Sequence, residues 1–349
     1  MRVTRALLDE AVAEQVLPAP QADALFGWLE ARAADTPSFK PAHILYYVGG
    51  LIAIGAMTLF MTLGWEQFGG AGLMWISACY CLLAIALTEW FLRRKGLAIP
   101  AGITGALAVV MVPLAVYGLQ HVLGFWADRE GVDRSYRDFH VWIDWRWVVM
   151  EFATLIAGAI ALWRYRLPFM VMPVAVTLWY MSMDLVPFLL GGSSADIFSD
   201  QGKTISMVFG LAMTAFAVVV DLRTGRTRDF AFWLYLFGVL AFWGGLSSLN
   251  SDSELNKFIY CLINLAMIAV GAAISRRVFA VFGGLGVAAY LGHLSYTVFK
   301  DSLWFPVALT AIGFAVIAAG VAWQRREAAI GNALRSHLPV RWREAFADR

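Results

Sequence analysis

Apolar residues run along this chain in long unbroken blocks, without the alternation of a half-wet strand or the one-sided stripe of a surface helix. Ten blocks can be placed, at about 43–64, 71–92, 100–123, 146–163, 168–190, 203–221, 230–249, 257–275, 278–298 and 305–323. Each is close to the roughly 20 residues that a helix needs to cross the hydrocarbon core of a bilayer. Inside lipid the backbone must satisfy its own polar groups, so only helices and closed barrels cross. A barrel would show alternating segments of about ten residues, and these blocks are continuous. The pattern predicts an all-α fold: a polytopic transmembrane helical bundle of about ten spans over residues 41–323.

Lys and Arg gather in every second short loop. The loops after the second, fourth, sixth and eighth spans carry Arg93, Arg94 and Lys95; Arg164 and Arg166; Arg223, Arg226 and Arg228; and Arg276 and Arg277. A tail beginning Arg325, Arg326 continues the series. The short loops between them hold at most a lone Lys203, Lys257 or Lys300. Positive residues stay on the cytoplasmic side of a membrane, so both termini are expected there, with an even number of spans. The loop at about 124–145 carries Arg129, Arg134 and Arg137, but five acids share it and it is the longest outer loop. Trp65, Trp126, Trp145, Trp147 and Trp304 fall near the outer ends of spans, and Trp90, Trp163 and Trp323 near the inner ends. That distribution reads as an interfacial aromatic belt.

Composition agrees. Of 349 residues, 60% are hydrophobic and 15% charged, and the mean hydropathy is +0.67; soluble domains are less apolar and more charged. A net charge of +2 argues against a nucleic-acid partner. Cys79, Cys81 and Cys261 have no metal-binding spacing and read as packing residues. The first apolar block begins near Ile44, too late for a cleavable secretory signal, so the first span is expected to act as its own membrane signal.

Two polar pieces flank the spans. Residues 4–17 and 21–35 read as two short amphipathic helices broken at "LPAP", with Leu8 and Val12, then Leu25 and Leu29, at a spacing of four. Pro20 suits the first turn of the second helix. This head, residues 1–40, has four basic and six acidic side chains, a net −2. The tail, residues 324–349, has six basic and three acidic, a net +3, with Ile330, Leu334, Trp342 and Phe346 among the arginines. The tail is suited to lie on anionic lipid. Opposite charge equally allows head and tail to dock on each other.

The stretch "LLDEAVAEQVLPAPQADALFGWLE" and the Gly-rich first span "YYVGGLIAIGAMTLFMTLGWEQFG" resemble a family of bacterial multi-pass inner-membrane proteins of unknown function. The resemblance covers roughly residues 1–125. It implies a cytoplasmic helical hairpin as head, available to a cytoplasmic protein partner, on a membrane domain in the bacterial inner membrane. It carries over no catalytic residue.

Ionisable groups within spans are rare and costly, and they mark places where chemistry could occur. Glu89, four residues before Arg93, reads as an i,i+4 ion pair, and Asp221 closes its span just before Arg223. The remaining polar groups collect toward the outer side. Asp184, in "WYMSMDLVPF", lies about 24 Å along its span at about 1.5 Å per residue. Glu151, His293, Asn264, Gln120, His121 and Glu66 fall at similar depth. Facing one another, they would form an outward vestibule, with Asp184, Glu151 and His293 as a substrate or proton site. Alternatively, each is a separate wet helix end.

Pro113, Pro173 and Pro187 can each remove a helix hydrogen bond, and broken helices beside polar groups are how several transporters build sites. Gly284, Ala288 and Gly292, like Ala153, Ala157 and Ala161, or Ala311, Ala315 and Ala319, form small-residue faces for close helix contact. That places His293 near such a contact. No P-loop, HExxH or G-x-S-x-G occurs, and no metal or cofactor is expected. The long third loop has no counterpart in the second half, so the halves do not read as an inverted repeat. The first functional reading is a non-enzymatic scaffold, sensor or membrane-complex component. The second is a secondary transporter using Asp184, Glu151 and His293.

Overall fold

The computed structural model describes residues 5–33, 41–126, 145–190, 199–224, 229–249 and 253–299, with scattered positions between 306 and 318. Every element among them is helical. In chain order they are α1 (Arg5–Ala13), α2 (Ala19–Ala33), α3 (Pro41–Trp90), α4 (Ala98–Val122), α5 (Trp145–Tyr165), α6 (Val171–Leu190), α7 (Asp200–Thr224), α8 (Phe232–Ser248), α9 (Glu254–Ile274) and α10 (Arg277–Phe299). Six helices are long and apolar enough to cross a membrane: Phe68–Lys95, Ala98–Val122, Trp145–Tyr165, Asp200–Thr224, Glu254–Ile274 and Arg277–Tyr296. The described residues are all-helical, and these six helices have the length and apolarity of a membrane protein's. The outer loop at 127–144 and the tail lie outside the described residues, and of the expected span at 305–323 only scattered helical positions are described.

The chain falls into two compact units, residues 1–130 with 160–170, and residues 131–159 with 171–349. In the first, α1 and α2 form the expected hairpin. Leu8 and Ala22 are buried between them. Arg5 ties them, bonding Asp9 at 3.2 Å and also Asp23. Leu25, expected on the apolar stripe, is exposed, as is Trp28.

The first two apolar blocks form α3, which is interrupted at Gly69, where φ is +61° and ψ −179°. That conformation favours glycine, and it ends one helical limb and starts the next within "WEQFGG". The second limb packs on α4. A Cβ on Gly118 would meet the Gly70 carbonyl oxygen and the Met74 nitrogen at 2.6 Å each, so only hydrogen fits between the backbones. Near Arg93, Arg94 and Lys95 the helix widens into a π-turn, capped by left-handed Gly96. Glu89 meets Arg93 at 2.5 Å, as the spacing predicts, and also Arg164 at 3.1 Å and the Tyr165 hydroxyl at 3.0 Å. Pro113 sits inside α4, which continues through it.

In the second unit α7 and α8 pack through glycine. A Cβ on Gly210 would lie 2.3 Å from the Phe242 nitrogen and 2.7 Å from the Gly238 oxygen. Helices α9 and α10 run antiparallel in a definite register. Gly271 faces Ala280, Ile268 faces Gly283, and Asn264 fills the space against Gly286. The close-contact face of α10 is therefore Gly283 and Gly286. The predicted stripe of Gly284 and Gly292 has open space where a Cβ would be, and Ala288 is exposed. A shift of one residue turns a helix by about 100°, enough to put the repeat on the wrong face. Pro173 also differs from expectation. A short 3-10 turn, Pro168–Met170, precedes α6, so Pro173 falls in the first turn, where no helical N–H is needed.

Asp221 is buried, but its partner is not the adjacent arginine. Arg276, itself 8% exposed, holds both Asp221 oxygens at 2.6 and 3.1 Å. It also reaches Asp229 at 2.5 Å and lies over the Tyr235 ring. Ser275, at φ +57°, turns the chain so that Arg276 points inward while Arg277 is exposed. One arginine thereby ties the end of α7, the approach to α8 and the α9–α10 corner.

Two outcomes test this packing in detergent-purified protein. Gly210→Ala should cost about 1–3 kcal/mol by overpacking and lower the thermal unfolding midpoint, whereas Gly244→Ala, with open space around it, should not. Asp221→Asn should cost about 1–3 kcal/mol by weakening two charge-assisted bonds while Arg276 keeps Asp229, and Asp221→Leu with Arg276→Met should recover most of that loss. Denaturation of the single and paired variants measures both effects.

Candidate functional site

The inward face of α5 is written at a spacing of about four: Arg146, Met150, Glu151, Thr154 and Gly158 are its buried residues. Thr154 returns its hydroxyl to the Met150 carbonyl at 2.7 Å and so needs no other partner. Glu151 differs. It is 7% exposed, and neither carboxyl oxygen has a hydrogen bond of ordinary geometry. The charged group acting on it is the Asp184 carboxyl of α6. Two acids named from the sequence therefore meet side by side.

Helix α6 presents Asp184 from a segment softened by its own hydroxyls. Thr177 donates to the Pro173 carbonyl at 2.8 Å, and buried Ser182 donates to the Trp179 carbonyl at 2.6 Å. Such back-bonds satisfy the hydroxyls inside the helix and slightly bend it. Trp179 packs on Phe237 of α8, ring centroids 5.8 Å apart, which fixes the side of α6 one turn before the acid.

His293 and Asn264 belong to a different place. His293 Nε2 lies 3.6 Å from Glu254 at the start of α9, and His293 lines a cleft among α8, α9 and α10. Among the described residues the cleft lining includes neither Asp184 nor Glu151. Asn264 is fully buried. It accepts from the Trp243 indole at 3.1 Å and donates to the Tyr260 carbonyl at 2.8 Å. Its depth in the span reflects helix packing, with both ends of the amide satisfied.

Gln120 and His121 lie in the first unit. The Tyr117 hydroxyl and His121 Nε2 are 2.8 Å apart, and His121 stacks on Trp126 at 5.6 Å with the rings nearly parallel. Gln120 is buried. Trp126 is buried too, as part of this aromatic cluster, and so is not the belt residue that its position suggested. Cys79 likewise is exposed, where a packing residue was expected, while Cys261 is buried. The Glu66 side chain lies outside the described residues.

Three further residues were not singled out from the sequence. Arg146 shares the buried face of α5 with Glu151, about 7.5 Å along the helix. An arginine in the first turn of an apolar block, five positions before an acid, is the signal for it. Glu254 and Lys257 are paired at 2.7 Å at the mouth of the cleft. Polar residues at a helix start look like ordinary surface positions, and only the fold of α9 against α10 brings them to His293.

The chemistry of the site centres on the Glu151–Asp184 pair. Two carboxyl groups in contact away from water cannot both carry charge cheaply, so they can hold one proton between them. Among the described residues no group of three or more His, Cys, Asp or Glu side chains has the arrangement of a metal site. No protein-family model, curated protein or solved structure matches this chain, so the site is read from its own geometry.

Proposed function

We propose that this chain is a ten-span, non-enzymatic protein of the bacterial inner membrane with both termini in the cytoplasm, and that it works as a secondary transporter coupled to protons through Glu151 and Asp184. One observation carries the reading: the Glu151 and Asp184 carboxyl groups interact, and among the described residues the two buried Glu151 oxygens have no other hydrogen-bond partner. A purely structural carboxyl is normally given donors, as Glu89 and Asp221 are. With one proton the pair attracts through an O–H···O bond, and without it the two charges repel. Proton binding thus biases the contact between α5 and α6, the kind of two-state element that alternating access requires. The alternating basic loops support the topology, which puts the pair in the outer third of the bilayer. The resemblance of residues 1–125 supports the compartment.

A scaffold or sensor reading has its own support in the head. Trp28 is 55% exposed and Leu25 39% exposed on α2, an apolar face suited to a cytoplasmic protein partner. The basic tail would add a contact with anionic lipid.

The two readings separate in proteoliposomes carrying a trapped pH-sensitive dye and challenged with a panel of solutes. The transporter reading expects solute-driven proton movement in the wild type, its loss in Asp184→Asn and Glu151→Gln, and its retention after removal of residues 1–40. Asp200→Asn, at an exposed helix start, should be neutral. Unchanged proton movement in both acid variants would overturn the transporter reading. A cellular phenotype lost on head removal but not in Asp184→Asn would favour the scaffold.

A further inference from the structure

The cleft among α8, α9 and α10 is not used by the acid pair, and its volume is 630 Å³, the size of a small-ligand site. Its polarity changes with depth. Lys257 and His293 line the mouth, Glu254 stands beside them against both, and the Ser247–Tyr260 hydroxyl pair at 2.9 Å lies next to them. Deeper are the side chains of Ile259 and Ile263 on α9, ending about 9 Å below Lys257 at about 1.5 Å per residue. Trp243 forms the inner wall. It is held by its bond to buried Asn264 and by its ring contact with Phe282 at 5.5 Å. The wall is thus preformed. The same helix, α9, is long and apolar enough to cross a membrane, so the mouth lies at a helix end and the apolar part alongside its hydrophobic length.

We propose that this cleft holds one membrane phospholipid with a zwitterionic headgroup carrying a primary ammonium, the phosphate at Lys257 and His293, the ammonium at Glu254, and an acyl chain along Ile259 and Ile263. Charge complementarity selects this occupant. The mouth carries both signs, and Glu254 already holds a primary ammonium, that of Lys257, at 2.7 Å. A lipid ammonium takes the place of Lys257 on Glu254, and Lys257 turns to the phosphate, so every charge stays matched. Protonated His293 has an N–H on each ring nitrogen, one facing Glu254 and one for the phosphate. An anionic headgroup would leave Glu254 facing a like charge. A quaternary ammonium has no N–H to give the carboxylate.

The test is native mass spectrometry of the full chain released from detergent in the presence of an equal mixture of phosphatidylethanolamine, phosphatidylcholine and phosphatidylglycerol with matched acyl chains. The ethanolamine lipid should be retained about tenfold over the other two, the equivalent of one charge-assisted hydrogen bond. Glu254→Gln, on an exposed side chain, should erase the preference over phosphatidylcholine, and Ile263→Trp should reduce retention of all three. Each variant is checked for wild-type helicity and a single elution peak. Equal retention of the three lipids by the wild type, a preference for phosphatidylglycerol or phosphatidylcholine, or an unchanged preference in folded Glu254→Gln would each overturn the proposal. Retention of inorganic phosphate in place of lipid would do so as well.

Discussion

A charge taken out of water inside a helical bundle must be matched, and the second unit meets this constraint in two opposite ways. Asp221 receives two bonds from Arg276, an oppositely charged group that also reaches Asp229. Such a network is costly to break and has one stable arrangement. Glu151 receives a second carboxyl instead. On the proposed reading its match is a shared proton, which can bind and leave. The first solution fixes helices, and the second leaves a contact whose sign can change.

Packing divides in the same way. Helices α7 and α8 meet at Gly210 with backbone against backbone, and α9 meets α10 at Gly283 and Gly286. These contacts leave no room for adjustment. Helix α5 meets its surroundings through Met150, Thr154 and Gly158, and α6 carries two hydroxyls bonded to its own carbonyls. The close glycine contacts of α7 with α8 and of α9 with α10 form a fixed frame against which a proton-driven change of contact at α6 would act. The cleft belongs to this frame, which suits a standing lipid better than a transported solute.

Much of the fold was legible because hydrophobicity in a membrane protein reports length directly. Among the described residues, helices α3 to α10 fall on apolar blocks, the first two blocks sharing α3 with a break at Gly69. The i,i+4 pair of Glu89 and Arg93 was legible because both partners lie on one helix. The Asp221–Arg276 pair was not, because its partners are separated by 55 positions and Arg276 looks like its exposed neighbour Arg277. Depth along a span identified Asp184 and Glu151 as candidates and also brought in His293 and Asn264. Depth says nothing of the direction in which a side chain leaves its helix. That rotation gave Asn264 to Trp243, His293 to Glu254, and the acids to each other.

The central claim is that Glu151 and Asp184 share one proton. Infrared difference spectroscopy of the protein in lipid, followed through a pH titration, observes protonated carboxyl groups directly. The account predicts one carboxyl band that titrates as a unit and disappears in Glu151→Gln and in Asp184→Asn alike. A band that survives in either variant, or two bands removed independently, one by each substitution, would contradict it.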